Sequence, residues 1–380
     1  MRIKQQLLRY AACLCCVLGG LPLSLSAQHS VDFSGYISKY DSTFSGIGPE
    51  VYFLPPPKTA AELLDDRFAD KEVDSAVVEE YVDRMNYYHR LRMTGDNSVI
   101  AKYLPLETAS AASVEGRLLT EIDRFEKLGS VNLVGDLQNR LAMEYLAIGA
   151  DQFAIEFFKK AMDTKQRANQ SADRDAIGHN LAVTYEYLGE LTKARVLRDE
   201  LYRRAMESHN ADQQGYAMME LAVVKAKQGA TDEAERDIIR KVVPLFRRNR
   251  NDSGRISAYC TLAYVYYLQH KYPEAQWFFL QAKTIADERG IAGQLPEIIF
   301  GLAEVKKVSG NPTVAIEEYK VADDLARKDH ILGMQLAIQD ALGDLYHEAG
   351  DYDDAAIALR KYDTLKHLLF PGGGQVMVNQ

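Results

Sequence analysis

The sequence predicts an all-α fold, an α-solenoid of stacked antiparallel helix hairpins. Three observations carry this: a fixed repeat period, helical spacing of apolar residues inside each repeat, and a glycine where each hairpin must turn. Six segments begin at Leu141, Leu181, Leu221, Leu262, Leu302 and Leu342, so their starts lie 40, 40, 41, 40 and 40 residues apart. The second residue of each is small: Ala142, Ala182, Ala222, Ala263, Ala303 and Gly343. Seven residues on stands Gly149, Gly189, Gly229, His270, Gly310 or Gly350, and five further on an alanine, from Ala154 to Ala355.

Within a segment, residues such as Leu181, Tyr185 and Leu188 recur at helical spacing and make one apolar stripe. The glycine that closes the stripe suits a helix end that needs a left-handed residue. A second stripe starts within a few residues, a link short enough only for an antiparallel helix pair. Two alanines per pair let the axes come close. A lone pair cannot bury its apolar face, so neighbours must stack.

These landmarks resemble the tetratricopeptide repeat (TPR). The pattern Leu, small, Tyr, Gly, Ala, aromatic, Ala is met in full by Leu141, Ala142, Tyr145, Gly149, Ala154, Phe158 and Ala161. It is nearly complete in the fourth and fifth copies. The third is weaker, with Lys225 at the Tyr position and Lys241 at the last Ala position. The period exceeds the usual one of roughly 34 residues. It is similar to the long-repeat variety of peptide-sensing regulators, motor light chains and exported sensory regions of Gram-negative sensor kinases. The resemblance implies a right-handed superhelix whose first helices line a concave face.

The organisation expected is residues 1–27 a signal peptide, 28–59 an irregular arm, 60–130 a helical cap containing a degenerate repeat, 131–369 six repeats, and 370–380 a flexible tail. The leader carries Arg2, Lys4 and Arg9, then the apolar "AACLCCVLGGLPLSL", then small residues up to Ala27. A membrane anchor fits less well, because Gly19, Gly20 and Pro22 interrupt a short apolar run. No good lipobox precedes Cys13, Cys15 or Cys16. Cleavage moves the net charge from −9 to −12, with 42 basic against 54 acidic residues left. That balance argues against nucleic acid or an anionic membrane as the main partner. Only Cys260 remains, so no internal disulfide is expected. The expected location is exported: periplasmic, with a surface-associated or extracellular chain as the variant. Upstream, "AVVEEYVDRMNYYHRLRM" (76–93) reads as helical. Downstream, sensor kinases of the resembling kind would continue into a coiled coil and a membrane span. This chain stops, which predicts no signal output by it alone.

Motifs for chemistry are few. HExxH, GxSxG, a Walker loop and a dinucleotide-binding glycine fingerprint are all missing from the sequence. No catalytic residue, cofactor or metal site is expected. Cys260 lies in a helical stripe and reads as a packed thiol. The run "RRNRNDSGR" (247–255) reads as a helix end and inter-repeat loop, where cations complement the dipole. Trp277 is expected to pack between repeats.

The concave face carries the functional expectation, and its residues follow from the resemblance. They are Asp136, Asn139 and Met143; His179, Glu186 and Tyr187; Tyr216, Met219 and Lys227; Ser257, Cys260, Tyr264 and Tyr267; Glu297, Phe300, Glu304 and Lys307; Asp340, Asp344, His347 and Glu348. The candidate contacts among them are His179, Tyr187, Tyr216, Met219, Tyr264, Tyr267, Phe300, Lys307, Asp340, Asp344 and His347. The middle is aromatic, which suits binding anchors, and the C-terminal end is acidic. The Lys and Asn set that chaperone-binding relatives use to clamp a carboxylate is not matched. The expected function is a non-catalytic scaffold for a protein or peptide segment. One alternative is a ligand-sensing component acting with a separate membrane regulator. Another is a metal enzyme using Asp340, Asp344 and His347, which at i, i+4 and i+7 share a helix face.

Overall fold

A computed structural model describes residues 37–38, 53–54, 57–95 and 111–369. The signal peptide, most of the arm and the 370–380 tail lie outside these residues. Two units divide at Val73/Asp74. In the first, β1 (Ile37–Ser38) pairs antiparallel with β2 (Phe53–Leu54). Helix α1 (Ala60–His89) starts in this unit. Thr59 and Glu62 cap its start reciprocally: Thr59 N–H donates to the Glu62 carboxylate at 2.7 Å, and Glu62 N–H to Thr59 Oγ1 at 3.2 Å.

The second unit is a TPR-like α-solenoid. Helix α2 (Ala111–Lys127) packs on α3 (Val131–Ala147), which pairs with α4 (Asp151–Arg167). Then come α5 (Ser171–Tyr187) with α6 (Leu191–Glu207), and α7 (Ala211–Lys227) with α8 (Thr231–Asp237). Helix α9 (Val243–Arg248) leads into α10 (Asp252–Leu268), which pairs with α11 (Tyr272–Arg289). The last hairpins are α12 (Leu295–Val308) with α13 (Pro312–Lys328), and α14 (Leu332–Glu348) with α15 (Tyr352–Leu369).

The landmarks explain the packing. Ala142, Ala182, Ala222, Ala263 and Ala303 are fully buried, as are Ala154, Ala194, Ala234, Ala275, Ala315 and Ala355. The aromatic position of each second helix is also buried, by Phe158, Phe279 and Tyr319 among others. Emptying such a site typically costs about 3–5 kcal/mol. Each hairpin turn holds a left-handed residue, as Gly149 does at φ +79°. Its amide donates to Leu146 O and that of Ala150 to Tyr145 O, closing the helix end. In repeat four His270 takes this place at φ 59°.

The one 41-residue spacing has a structural counterpart. Between α8 and α9 the helix opens into a π-turn, Ile238–Val242, just before Pro244. A single inserted residue is absorbed there, next to a proline that has no N–H to give. Lys241 therefore lies exposed rather than in the last alanine's core position.

Two expectations are corrected. Trp277 does not pack between repeats: it is 53% exposed, edge-on to Phe278 at 4.7 Å. Ala275, Phe279 and Ala282 form the buried stripe of α11, and Trp277, two residues from Phe279, falls on the opposite side. Secondly, the helix expected over 76–93 ends at His89. Arg90 and Leu91 donate to Tyr87 O and Tyr88 O in a tightened last turn, and the chain then runs non-helically through Leu91–Thr94. Its destination explains the early stop.

Candidate binding groove

Residues 90–95 lie against the first helices of repeats one to three, α3, α5 and α7, and their main chain is read by side chains. Asn180 accepts from Arg92 N–H at 2.7 Å and donates back to Arg92 O at 2.8 Å. Asn139 also donates to Arg92 O, at 3.1 Å, while its own oxygen accepts from Asn180 at 3.0 Å. Two amides on neighbouring helices thus take both backbone groups of one residue. His179 Nε2 lies 3.0 Å from Arg90 O. A carbonyl only accepts, so Nε2 carries a proton; Nδ1 lies 2.9 Å from Arg198 Nη1 and 3.1 Å from Glu220 Oε1.

Behind the histidine sits a buried charge cluster. Arg198 of α6 is 1% exposed. Its Nε and Nη2 donate to Glu186 Oε1 at 3.0 and 2.8 Å, and Nη1 to Glu220 Oε2 at 2.6 Å. The other oxygen of each carboxylate faces the segment. Glu186 Oε2 takes Arg90 at 3.1 Å, and Glu220 Oε1 takes Arg92 at 3.2 Å. Burial alone would raise both carboxylates. Arg198, Arg90 and Lys227 outweigh it at Glu186, and Arg198, with Arg92, outweighs it at Glu220, so both are held below the ordinary carboxylate range. Burial lowers the His179 pKa against the pull of Glu220, and Arg198 adds to the lowering, so the ring stays neutral near pH 7.

Contacts extend along both ends of the segment. Arg84 donates to Tyr187 Oη at 3.1 Å, Lys227 to Tyr87 Oη at 2.8 Å, and the Tyr87 and Tyr187 rings lie 5.3 Å apart. Leu91 and Met93 pack on the core of the first repeats. Thr94 is buried beside Asn139, whose amide lies 3.4 Å from its hydroxyl. Gly95 has φ +77°, and a Cβ there would meet Asp136 at 2.5 Å. Asp136 is buried and paired with Lys165 at 2.6 Å. Burial raises its pKa against that pairing.

The expected contacts divide between two regions. His179 and Tyr187 meet the segment as described. Tyr216 lies tilted against Phe246 at 5.0 Å and, with Arg92, His179, Arg204 and Glu220, lines a cleft of about 340 Å³ between α5, α6 and α7. Met219 is partly exposed on α7. Tyr264, 37% exposed, and Tyr267 follow on α10. Burial raises the pKa of both phenols. Cys260 beside them is a free cysteine whose thiol burial pushes up. Phe300 meets Tyr319 at 6.0 Å, Lys307 pairs with Glu304 at 3.0 Å, and the Tyr319 hydroxyl donates to Glu304. His347 lies edge-on to Tyr352 at 6.0 Å. Asp340 is partly exposed and Asp344 exposed. These two and His347 are not assembled into a ligand cluster: among the described residues no three His, Cys, Asp or Glu side chains are placed to hold a metal ion.

Sequence reasoning missed Asn180, Glu220, Arg198 and the segment itself. Asn180 and Glu220 stand one residue after the inward positions taken from the resemblance. Arg198 carried a legible signal, since it occupies the aromatic landmark filled by Phe158, Phe279 and Tyr319. A cation in that core position requires buried carboxylates.

No family model matches the sequence, and no curated protein matches it. Solved structures do. The apo form of RapI superposes with a TM-score of 0.50 at 14% identity, over 69% of this chain and 94% of that one. The chain has a TPR-like fold. At this identity the likeness speaks to fold alone. A Rap protein complexed with competence and sporulation factor gives 0.47 at 14% identity, over 82% and 98% of the two chains. A tetratricopeptide repeat protein from Parabacteroides merdae gives 0.46 at 16%, over 67% and 86%. Among the described residues no helix is long and apolar enough to cross a membrane.

Proposed function

We infer that this chain is an exported, non-catalytic scaffold that holds an extended protein or peptide segment along its first helices. One observation carries the reading: Asn139, Asn180 and His179 are set to hydrogen-bond a main chain, and in this structure they hold one. Backbone reading fixes the path of a segment and leaves its side chains to choose the partner, as in other extended-peptide sites. The aromatic residues Tyr264, Tyr267 and Phe300 continue the same face and supply anchors. Export rests on the leader pattern ending at Ala27.

A binding screen of the chain without residues 1–27 against a peptide array tests this. Peptides captured by the wild type should be lost with Asn139→Ala/Asn180→Ala. Unchanged capture by a folded double variant contradicts the reading. For export, fractionation should find the chain shortened at Ala27 outside the cytoplasm; a full-length cytoplasmic chain contradicts it. A sensing role beside a separate membrane regulator is the second reading. It is favoured by a groove that already holds a piece of its own chain.

A further inference from the structure

We propose that the N-terminal half of the groove selects a partner segment bearing two cations two residues apart, and that Arg90–Gly95 is a tethered competitor for that place. The proposal rests on the scaffold reading above and adds to it a side-chain chemistry.

The selectivity is built by Arg198. It occupies one oxygen of Glu186 and one of Glu220; the second oxygen of Glu186 meets Arg90, and that of Glu220 meets Arg92 and lies 3.1 Å from His179 Nδ1. Arg198 pairs with Glu186 of α5 and Glu220 of α7, so the wall is tied together by the repeat helices and needs no group of the segment. The two carboxylates meet residues i and i+2 of the segment, here Arg90 and Arg92. The intervening positions are apolar, Leu91 and Met93, and rest on the core. Thr94 puts a hydroxyl beside Asn139, and Gly95 is the residue that a φ of +77° and the Asp136 carboxylate allow. The chemistry recognised is thus cation, apolar, cation, apolar, hydroxyl, glycine.

The resident segment is suited to leave. Its cations are half in water, Arg90 at 39% and Arg92 at 51% side-chain exposure, and the carboxylates they would leave, Glu186 and Glu220, keep Arg198 as a partner. While the segment is docked, a partner sees only the fraction of molecules whose groove is open, and its apparent affinity falls by that fraction.

The test uses the chain without residues 1–27 and a fluorescent peptide Arg-Leu-Arg-Met-Thr-Gly-Asp, read by anisotropy. Arg90→Ala/Arg92→Ala should bind it at least about tenfold more tightly than the wild type. A peptide with Lys at both Arg places should bind comparably, and one with Glu at both at least about tenfold more weakly. Equal binding of the Arg and Glu peptides overturns the cation pattern and leaves segment binding standing. No peptide binding by a folded variant overturns both. Equal affinity of wild type and variant overturns the competition. A wild-type dimer that the peptide converts to monomer would make a second copy the occupant and likewise overturns the proposal. Should the double variant fail to fold, Gly95→Val ejects the segment by backbone conformation instead.

Discussion

Repeat two and repeat four fill the same landmark in opposite ways. Where α11 buries Phe279 and α13 buries Tyr319, α6 buries Arg198. Around Phe279 and Tyr319 the face of the first helices is aromatic and partly exposed, with Tyr264, Tyr267 and Phe300 at its surface. Around Arg198 it is polar and covered, with His179, Asn180, Glu186 and Glu220 turned to a strand of the same chain. One substitution at a core position separates a half that can offer apolar anchors from a half that reads backbone and charge. A buried guanidinium forces carboxylates inward, and their spare oxygens then set what docks.

The strongest way to break the comparison is to remove its origin. Arg198→Leu leaves Glu186 and Glu220 buried without their cation and should cost about 3–5 kcal/mol in urea unfolding. Phe279→Leu, a comparable apolar change in the other half, should cost under about 1.5 kcal/mol. Equal losses would mean that the charge cluster is no more than ordinary core.

A second test separates docking from folding. Asn180→Ala removes the acceptor of the Arg92 N–H and one of the two donors to its carbonyl, and should release the segment at a cost of about 1–3 kcal/mol. Arg90 and Arg92 are themselves trypsin sites, so limited proteolysis should cut there well before the repeats in the variant and not in the wild type. Simultaneous cutting in both proteins counts against a docked segment.

These effects show what could be read in the sequence. The hairpins were legible because their landmarks are spaced by helix geometry and recur six times. The inward positions were legible to within one residue, which on a helix is a rotation of about 100°, and that is why Asn139 was named and Asn180 was not. The segment was not legible, because a short irregular stretch satisfied by side chains leaves no periodicity. Local helical preference ran on to Met93, while tertiary hydrogen bonds to Asn139, Asn180 and His179 ended the helix at His89.

The third effect is a pH dependence confined to the N-terminal half. The His179 pKa is lowered in the docked state. The docked segment covers the ring and adds to that burial, so the released ring takes up a proton more readily and docking weakens as pH falls. Proteolytic protection at Arg90 and Arg92 should drop between pH 7 and pH 5. His179→Gln should flatten that change; an unaltered slope would assign it to another group.

The smallest effect on stability is expected in the other half. Tyr264→Ala and Tyr267→Ala remove partly exposed rings and should cost about 1 kcal/mol or less. They should nevertheless weaken peptide capture, as should Tyr216→Ala beside the Arg92 cleft. Full capture by all three variants would leave the aromatic half without a binding role.

The central claim is that the groove reads the main chain of residues 90–95, and hydrogen exchange at the Arg92 amide measures it most directly. The account predicts slow exchange in the wild type, far slower than an unstructured amide, and fast exchange in Asn180→Ala with the repeat helices still protected. Fast exchange at Arg92 in the wild type would contradict it.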